Sequence, residues 1–247
     1  MKFTYTAYRD LLLLLREQDY AFCNYHNYGD APRCVILRHD IDSSLDQAVR
    51  LAELEAEEGV RSTWFVLLRT DFYNIASKAG QDALLHIQSL GHEIGLHFDE
   101  AAYEPALRPN EVIQNIIKEC ELLFALLGGD SPPKNSCVSM HRPSKATLDA
   151  DYQIPGIVNS YGKTFFHDFK YLSDSRRQWR EPVEDIIRSG EYNRLHILTH
   201  AFWYHETEKD ISQAVGDFIR SANRERYRQM AENIMDLASI LGEEDVL

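Results

Sequence analysis

The sequence has little that would let its chemistry run on thiols. Only four cysteines occur in 247 residues: Cys23, Cys34, Cys120 and Cys137. No two of them form a C-x-x-C pair, which excludes the thioredoxin-like redox motif and the usual zinc-finger spacings. Cys34 and Cys137 lie in apolar runs, where a thiol behaves as a small hydrophobe, and all four are expected to be reduced and structural. Basic residues are also scarce. The 26 Lys and Arg stand against 39 Asp and Glu, leaving a net charge of −13. Phosphate contacts need clustered cations, so a surface this acidic excludes nucleic acid as a general partner, although a local basic cluster could still hold one small anion. Long hydrophobic runs are missing too. Leu11–Leu15 is a short stretch between Asp10 and Arg16, far below the ~18 apolar residues of a membrane span. It also lacks the cleavage site of a signal peptide. The expectation is a cytoplasmic chain with no membrane span.

Repeats, low-complexity tracts and shifts in composition are absent as well. One domain over residues 1–247 is therefore expected, with an acidic, helical tail from about 206 to 247. That tail would pack on its own domain or on a second subunit of a homo-oligomer. What the chain does have is apolar content: 44% hydrophobic residues suffice for a sizeable core.

Short apolar runs alternate with helical stretches along the whole length. Strands are expected at 33–38, 62–68, 92–96, 136–140 and 194–199, with shorter ones at 156–159, 163–166 and 169–172. Helices are expected at 7–19, from Ser44 to Gly59, at 72–90, 109–127 and 182–189, and over most of 206–241. Ser44 and Gln47 have capping-box spacing, Pro109 suits a first helical turn, and Gly128–Pro133 reads as a turn. Such alternation means an α/β fold with a parallel sheet and right-handed crossovers. An irregular (β/α) barrel of about seven strands fits the length, with an open doubly wound sheet as the competitor.

Several of these strands end in residues that bind metal or move protons. The first runs into His39-Asp40-Ile41-Asp42, the third into His97-Phe98-Asp99, the fourth into His141-Arg142-Pro143 and the last into His200. Parallel α/β folds gather their active sites at the carboxyl ends of strands, so these distant residues would meet at one mouth. Imidazoles and carboxylates without a cysteine partner suit a divalent ion, Zn2+ first, with a position open for water. Each piece also has a plainer reading: Asp40 and Asp42 could cap the helix at 44, and His97, His141 and His200 could be hydrogen-bonded core histidines.

Together these motifs resemble those of the polysaccharide deacetylase superfamily, the NodB-homology or carbohydrate esterase family 4 group, over residues 33–204. Leu37-Arg38-His39-Asp40-Ile41-Asp42 looks like the family's first motif, and Gly91-His92-Glu93-Ile94-Gly95-Leu96-His97 like its G-H-E-I-G-x-H stretch. His141-Arg142-Pro143 and Ile197-Leu198-Thr199-His200 resemble later ones. The resemblance implies a NodB-like barrel that removes an acyl group, acetyl first, from the amide nitrogen of an amino sugar. It makes Asp40 the base, Asp42 and His97 metal ligands, Arg142 the residue that orients Asp40, and His200 the general acid, with Asp174 tuning it. The family's second metal histidine falls on Ala101 here, the adjacent Asp-Asp is spaced as Asp40-Ile41-Asp42, and the Pro-Tyr is Pro143-Ser144. His141 is then the first choice for third ligand, followed by Asp99 and His39. The strand-rich middle and Ser173-Asp174-Ser175 look most like a branch tied to bacterial surface-polysaccharide or lipopolysaccharide synthesis.

The run Ser173–Arg180 is unusual in its own right. Trp179 could stack on a sugar face, and Arg176 or Arg180 could pair with a carboxylate or phosphate of a small-molecule or oligosaccharide substrate. A solvated basic turn is the plainer reading. Two other functions compete: metal-dependent hydrolysis of cyclic amides, ureides or phosphoesters, and saccharide binding by a catalytically inactive relative.

Overall fold

The computed structural model describes residues 1–103, 107–129 and 136–246. They fall into two compact units, Met1–Glu206 and Thr207–Leu247. In the first unit the strands are β1 (Ala21–Cys23), β2 (Cys34–Ile41), β3 (Thr63–Leu67), β4 (Glu93–Phe98), β5 (Ser136–Met140), β6 (Ile157–Asn159), β7 (Lys170–Ser173) and β8 (Arg194–Thr199). The helices are α1 (Tyr5–Glu17), α2 (Leu45–Glu57), α3 (Lys78–Ser89), α4 (Pro109–Leu126), α5 (Lys145–Ala150) and α6 (Val183–Ser189). The second unit is α7 (Ile211–Asn233) and two short turns folded back on it, held by Tyr227 Oη to Leu241 O at 2.8 Å and Asn223 Nδ2 to Val246 O at 2.9 Å.

All pairings in the sheet are parallel, and its order is β6-β5-β4-β3-β2-β8-β7, with β1 added to β2. This order decides between the two expected architectures. A doubly wound sheet reverses direction near its middle. Here β2 to β6 advance one strand at a time, and β7 and β8 return to the other edge of β2, which is the cyclic order of a singly wound barrel. No β6–β7 pairing occurs among the described residues, so the seam of the barrel lies there. The chain is α/β with a seven-strand parallel path, as its alternation implied.

Side chains alternate across each strand, and β2 shows the result. Val35, Leu37 and Ile41 join the large core shared with the helices, including Ala48 and Leu51 of α2, whereas Cys34 and Ile36 join Tyr25, Phe65, Cys137 and Phe165 on the barrel's inner face. The inner face is crowded. A Cβ on Gly95 would stand 2.7 Å from the Phe65 ring and 2.8 Å from Cys137 O, so only glycine fits in the middle of β4.

Most elements fall within a few residues of expectation, and the Ser44 cap is made, its side chain accepting from Gln47 N. Strand β2 runs three residues past the expected 38, carrying His39, Asp40 and Ile41 into the sheet. The helix expected over 72–90 starts at Lys78, where Ser77 caps it by accepting from Gly80 N. The strand expected at 163–166 is a π-helical turn, Thr164–Asp168. Its aromatics pack inward rather than pair: Phe165 meets Tyr25 edge-on at 4.8 Å, and Phe166 stacks on Tyr171 at 4.6 Å. Aromatic β-propensity reflects packing more than backbone preference. The turn expected at Gly128–Pro133 lies, from residue 130 onward, outside the described residues.

One buried inner-face group has a consequence for stability. His196 sits beneath Arg38 with Nε2 2.8 Å from Tyr25 Oη and Nδ1 3.3 Å from Phe165 O. The carbonyl needs a donor, so Nδ1 carries the proton and Nε2 accepts from the tyrosine. Burial first, and then the Arg38 charge, push this imidazole down to about 3. The folded value lies below the ordinary ~6.5, so only the unfolded chain takes up this proton between those limits. Its contribution is complete above pH ~6.5 and is lost as pH falls toward 3, by up to about 1.4 kcal/mol per pH unit. The stability difference between wild type and His196→Gln in urea unfolding should therefore narrow as pH falls from 6.5. A pH-independent difference would show that the buried imidazole is not held neutral.

Candidate metal centre

The carboxyl ends of β2, β4, β5 and β8 place their polar residues around one point. Asp40 and Asp42, two residues apart, share the inward side of β2 and its extension. His97 is the inward residue next to last in β4, His141 follows β5, and His200 follows β8. His97 Nε2 lies 3.3 Å and His141 Nδ1 3.4 Å from Asp42 Oδ1, and the two nitrogens are 3.1 Å apart. The edges of a tetrahedron with metal–ligand bonds of about 2.0–2.1 Å are about 3.3 Å, so these donors stand at the separations of three such ligands. Asp42 Oδ1 is buried and makes no hydrogen bond. A buried carboxylate oxygen without a hydrogen, facing two imidazole nitrogens, is a donor set that suits a divalent ion. Burial alone would raise the Asp42 carboxyl, yet His141 and His97 hold it well below the usual carboxylate range.

Asp40 lies beside this trio, its Oδ2 3.6 Å from His97 Nε2. Arg38 Nε and Nη2 donate to its two oxygens at 3.0 and 2.8 Å, and Ser139 Oγ lies 3.3 Å from Oδ1. Ser139 also receives a hydrogen bond from Arg38 and lies 3.0 Å from His97 Nδ1. Burial would raise the Asp40 carboxyl, but the Arg38 charge, helped by His97, brings it below the ordinary value, so it is ionised at neutral pH. On the far side, His200 Nε2 lies 3.7 Å from Asp42 Oδ2, while its Nδ1 meets Asp174 Oδ1 at 2.7 Å. Asp174 is fully buried and held by the backbone N–H of His200 and by Tyr204 Oη. Burial would lower the His200 imidazole, and Asp174 overrides it, raising it to about 9.

Among the residues singled out from the sequence, the structure thus brings together Asp40, Asp42, His97, His141, His200 and Asp174. It does not pair Arg142 with Asp40. Arg142 sits just past β5 at φ 45°, its side chain is 72% exposed, and it reaches Asp99 Oδ2 at 3.2 Å. The left-handed turn carries the guanidinium out of the barrel, and Arg38, on the same face of β2 as Asp40, takes the orienting position instead. In the sequence Arg38 is one residue of an apolar strand; the signal that marks it is its i, i+2 spacing to Asp40. The two alternative third ligands are also placed elsewhere. His39 points to the opposite face, between Thr199 Oγ1 at 2.7 Å and Glu55 Oε1 at 2.9 Å, and Asp99 accepts from Ala101 N at 3.0 Å.

The basic segment is less committed to the site. Trp179 is half-buried against the main core, and Arg176 and Arg180 are exposed. They follow Asp174 through a short turn, Ser175–Arg177, in which Arg176 and Arg177 take positive φ.

No protein-family model matches the chain, and no curated protein matches it in sequence. Among solved structures it is similar to a CE4 family pseudoenzyme from Bacillus anthracis, with TM-score 0.44 and 14% identity over 79% of this chain and 63% of that one. It is also similar to a chitin deacetylase from the fungal pathogen Colletotrichum lindemuthianum, with TM-score 0.43 and 18% identity over 76% and 81%. A family 4 carbohydrate esterase from Bacillus anthracis gives TM-score 0.37 and 15% identity over 93% and 94%. The chain spans less than two thirds of the pseudoenzyme's length. With TM-scores below 0.5, these likenesses assign neither a family nor an activity to the chain.

Proposed function

We propose that the chain is a metal-dependent hydrolase that removes an acyl group, acetyl first, from the amide nitrogen of an amino sugar. The observation that carries this reading is the arrangement of Asp42, His97 and His141 at ligand separations, with an ionised Asp40 on one side and a charged His200 on the other. The motif resemblance to polysaccharide deacetylases supports the choice of an N-acyl sugar. A divalent ion held by Asp42, His97 and His141, with Zn2+ the natural candidate for this donor set, would polarise the acyl carbonyl and lower the pKa of water. Arg38 fixes both oxygens of Asp40 and keeps it ionised, so Asp40 takes the proton of the attacking water. His200, charged and oriented by Asp174, gives a proton to the departing amine.

The same reading makes Met1–Glu206 the deacetylase unit and Thr207–Leu247 a helical tail that could meet a second subunit. It makes the substrate a cytoplasmic precursor of a surface polysaccharide, bound with help from Trp179, Arg176 and Arg180. Metal-dependent release of acetate from a panel of N-acetyl sugars tests the function, with loss on chelation and recovery on adding Zn2+. Hydrolysis of ureides or phosphoesters with none of N-acetyl sugars would refute the substrate class, and saccharide binding without any turnover would refute catalysis.

The role of His200 has its own test. His200→Ala should lower turnover of an N-acetyl sugar by about 10²- to 10⁴-fold, but should slow an activated aryl acetate much less, because that leaving group departs without a proton. Equal losses on both substrates would mean that His200 is not the proton donor.

A further inference from the structure

The barrel's inner face carries a second group of metal-binding side chains, at the amino ends of the strands. Glu93 begins β4 and lies on the same face as His97, four residues away; Cys137 has the same relation to His141 on β5. At about 3.3 Å per residue, this lower group lies about 13 Å along the strands from the upper one. His26, on the loop after β1, completes it. His26 Nε2 lies 2.9 Å from Glu93 Oε1, Cys137 Sγ lies 3.3 Å from the same oxygen, and Sγ and Nε2 are 3.6 Å apart.

We propose that His26, Glu93 and Cys137 form a second metal site, specific for a thiophilic divalent ion such as Zn2+. Tetrahedral zinc, with bonds of about 2.0–2.1 Å to nitrogen and oxygen and about 2.3 Å to sulfur, needs edges of about 3.3 Å between N and O and about 3.5 Å from S to either. The two edges to sulfur lie within about 0.2 Å of those values, and only the N–O edge, at hydrogen-bond length, must open. Glu93 is oriented as a ligand by its neighbour. Thr63 Oγ1 donates to its other oxygen at 2.9 Å, leaving Oε1 to face the trio, as outer partners do around metal ligands. His26 is held by its backbone N–H to Asn24 Oδ1 at 2.9 Å. Its side chain and that of Glu93 are 28% and 25% exposed, so an ion has a path in, and three protein ligands leave one position for water. Cys137, which its apolar neighbours mark as a small hydrophobe, is in this reading the softest ligand of the chain's two centres. The site is independent of the proposed deacetylase centre, whose donors include no sulfur.

That difference makes the test selective. Full-length protein stripped by a chelator and titrated anaerobically with Co2+ should develop a sulfur-to-cobalt charge-transfer band in the near ultraviolet. The band should persist in Asp42→Ala, which disables the upper centre, and vanish in Cys137→Ser. In His26→Ala, which removes a side chain at the partly exposed mouth of the site, Co2+ should bind more weakly by at least the ~10- to 100-fold that loss of a supporting group costs a metal site. Wild type without the band at saturating Co2+, a band that survives in Cys137→Ser, or unchanged affinity in His26→Ala would each overturn the proposal. None of these outcomes depends on whether the chain deacetylates anything.

Discussion

Asp40→Asn is expected to lower turnover by about 10²- to 10⁴-fold while leaving metal content unchanged. The amide keeps an oxygen for Arg38 and nearly the same volume, so the inner face stays filled, although the buried guanidinium loses its counter-charge and the variant should be less stable. What it loses is the capacity to accept a proton. Asp40 is a credible base because its carboxyl, buried though it is, lies below the ordinary value under the Arg38 charge. It is not part of the ligand trio: its nearest approach to that trio's nitrogens is 3.6 Å, to His97 Nε2. Zinc analysis of the variant separates the two roles. If metal is retained and turnover falls by less than tenfold, Asp40 is not the base; if metal is lost, it is a ligand.

Removing the cation beside it should unbalance the fold itself. Arg38 is fully buried, chelates both oxygens of Asp40, and stacks its guanidinium 4.7 Å from the centre of the Tyr161 ring. Arg38→Met leaves the buried carboxylate without the cation that chelates it, with only His97 and His200 nearby, a change expected to cost up to about 3–5 kcal/mol. The double variant Arg38→Met/Asp40→Leu removes both charges and should recover most of that loss, while remaining inactive. Urea unfolding of wild type, Arg38→Met, Asp40→Leu and the double variant gives the coupling energy. A single variant that loses less than about 1 kcal/mol, or a double variant no more stable than the single, would mean that the pair is not what holds the carboxylate in place.

The sequence made the upper cluster legible for a physical reason. Parallel strands separated by helices all point the same way, so residues at their carboxyl ends converge whatever their distance along the chain. Asp40, Asp42, His97, His141 and His200 gather on that argument, and the parallel sheet follows from the same alternation, whereas the choice of a barrel over a doubly wound sheet rests on the strand order that only the structure gives. The orientation of single side chains was harder to read. Arg142 follows a strand as Asp42 and His141 do, but its positive φ turns it outward, and backbone handedness at one residue leaves no mark in composition. Arg38 was hidden because a strand buried on both faces reads as continuous core. Phe165 and Phe166 looked like a strand because their aromatic character was visible and their inward packing was not. The lower trio escaped because His26, Glu93 and Cys137 share no local spacing: a loop and the beginnings of two strands supply one ligand each.

Strand β2 carries polar groups on both of its sides, Arg38 and Asp40 toward the interior and His39 toward Glu55 of α2. A shift of one residue against β3 and β8 would exchange them. The guanidinium and carboxylate would then be thrust among the leucines beneath α2, and the imidazole would be left facing the barrel without its acid. An all-apolar strand would tolerate such a slip cheaply. Here the charges act as a key cut on both edges: misaligned sheets are penalised while the chain is still folding, before any ligand or substrate can select the correct one.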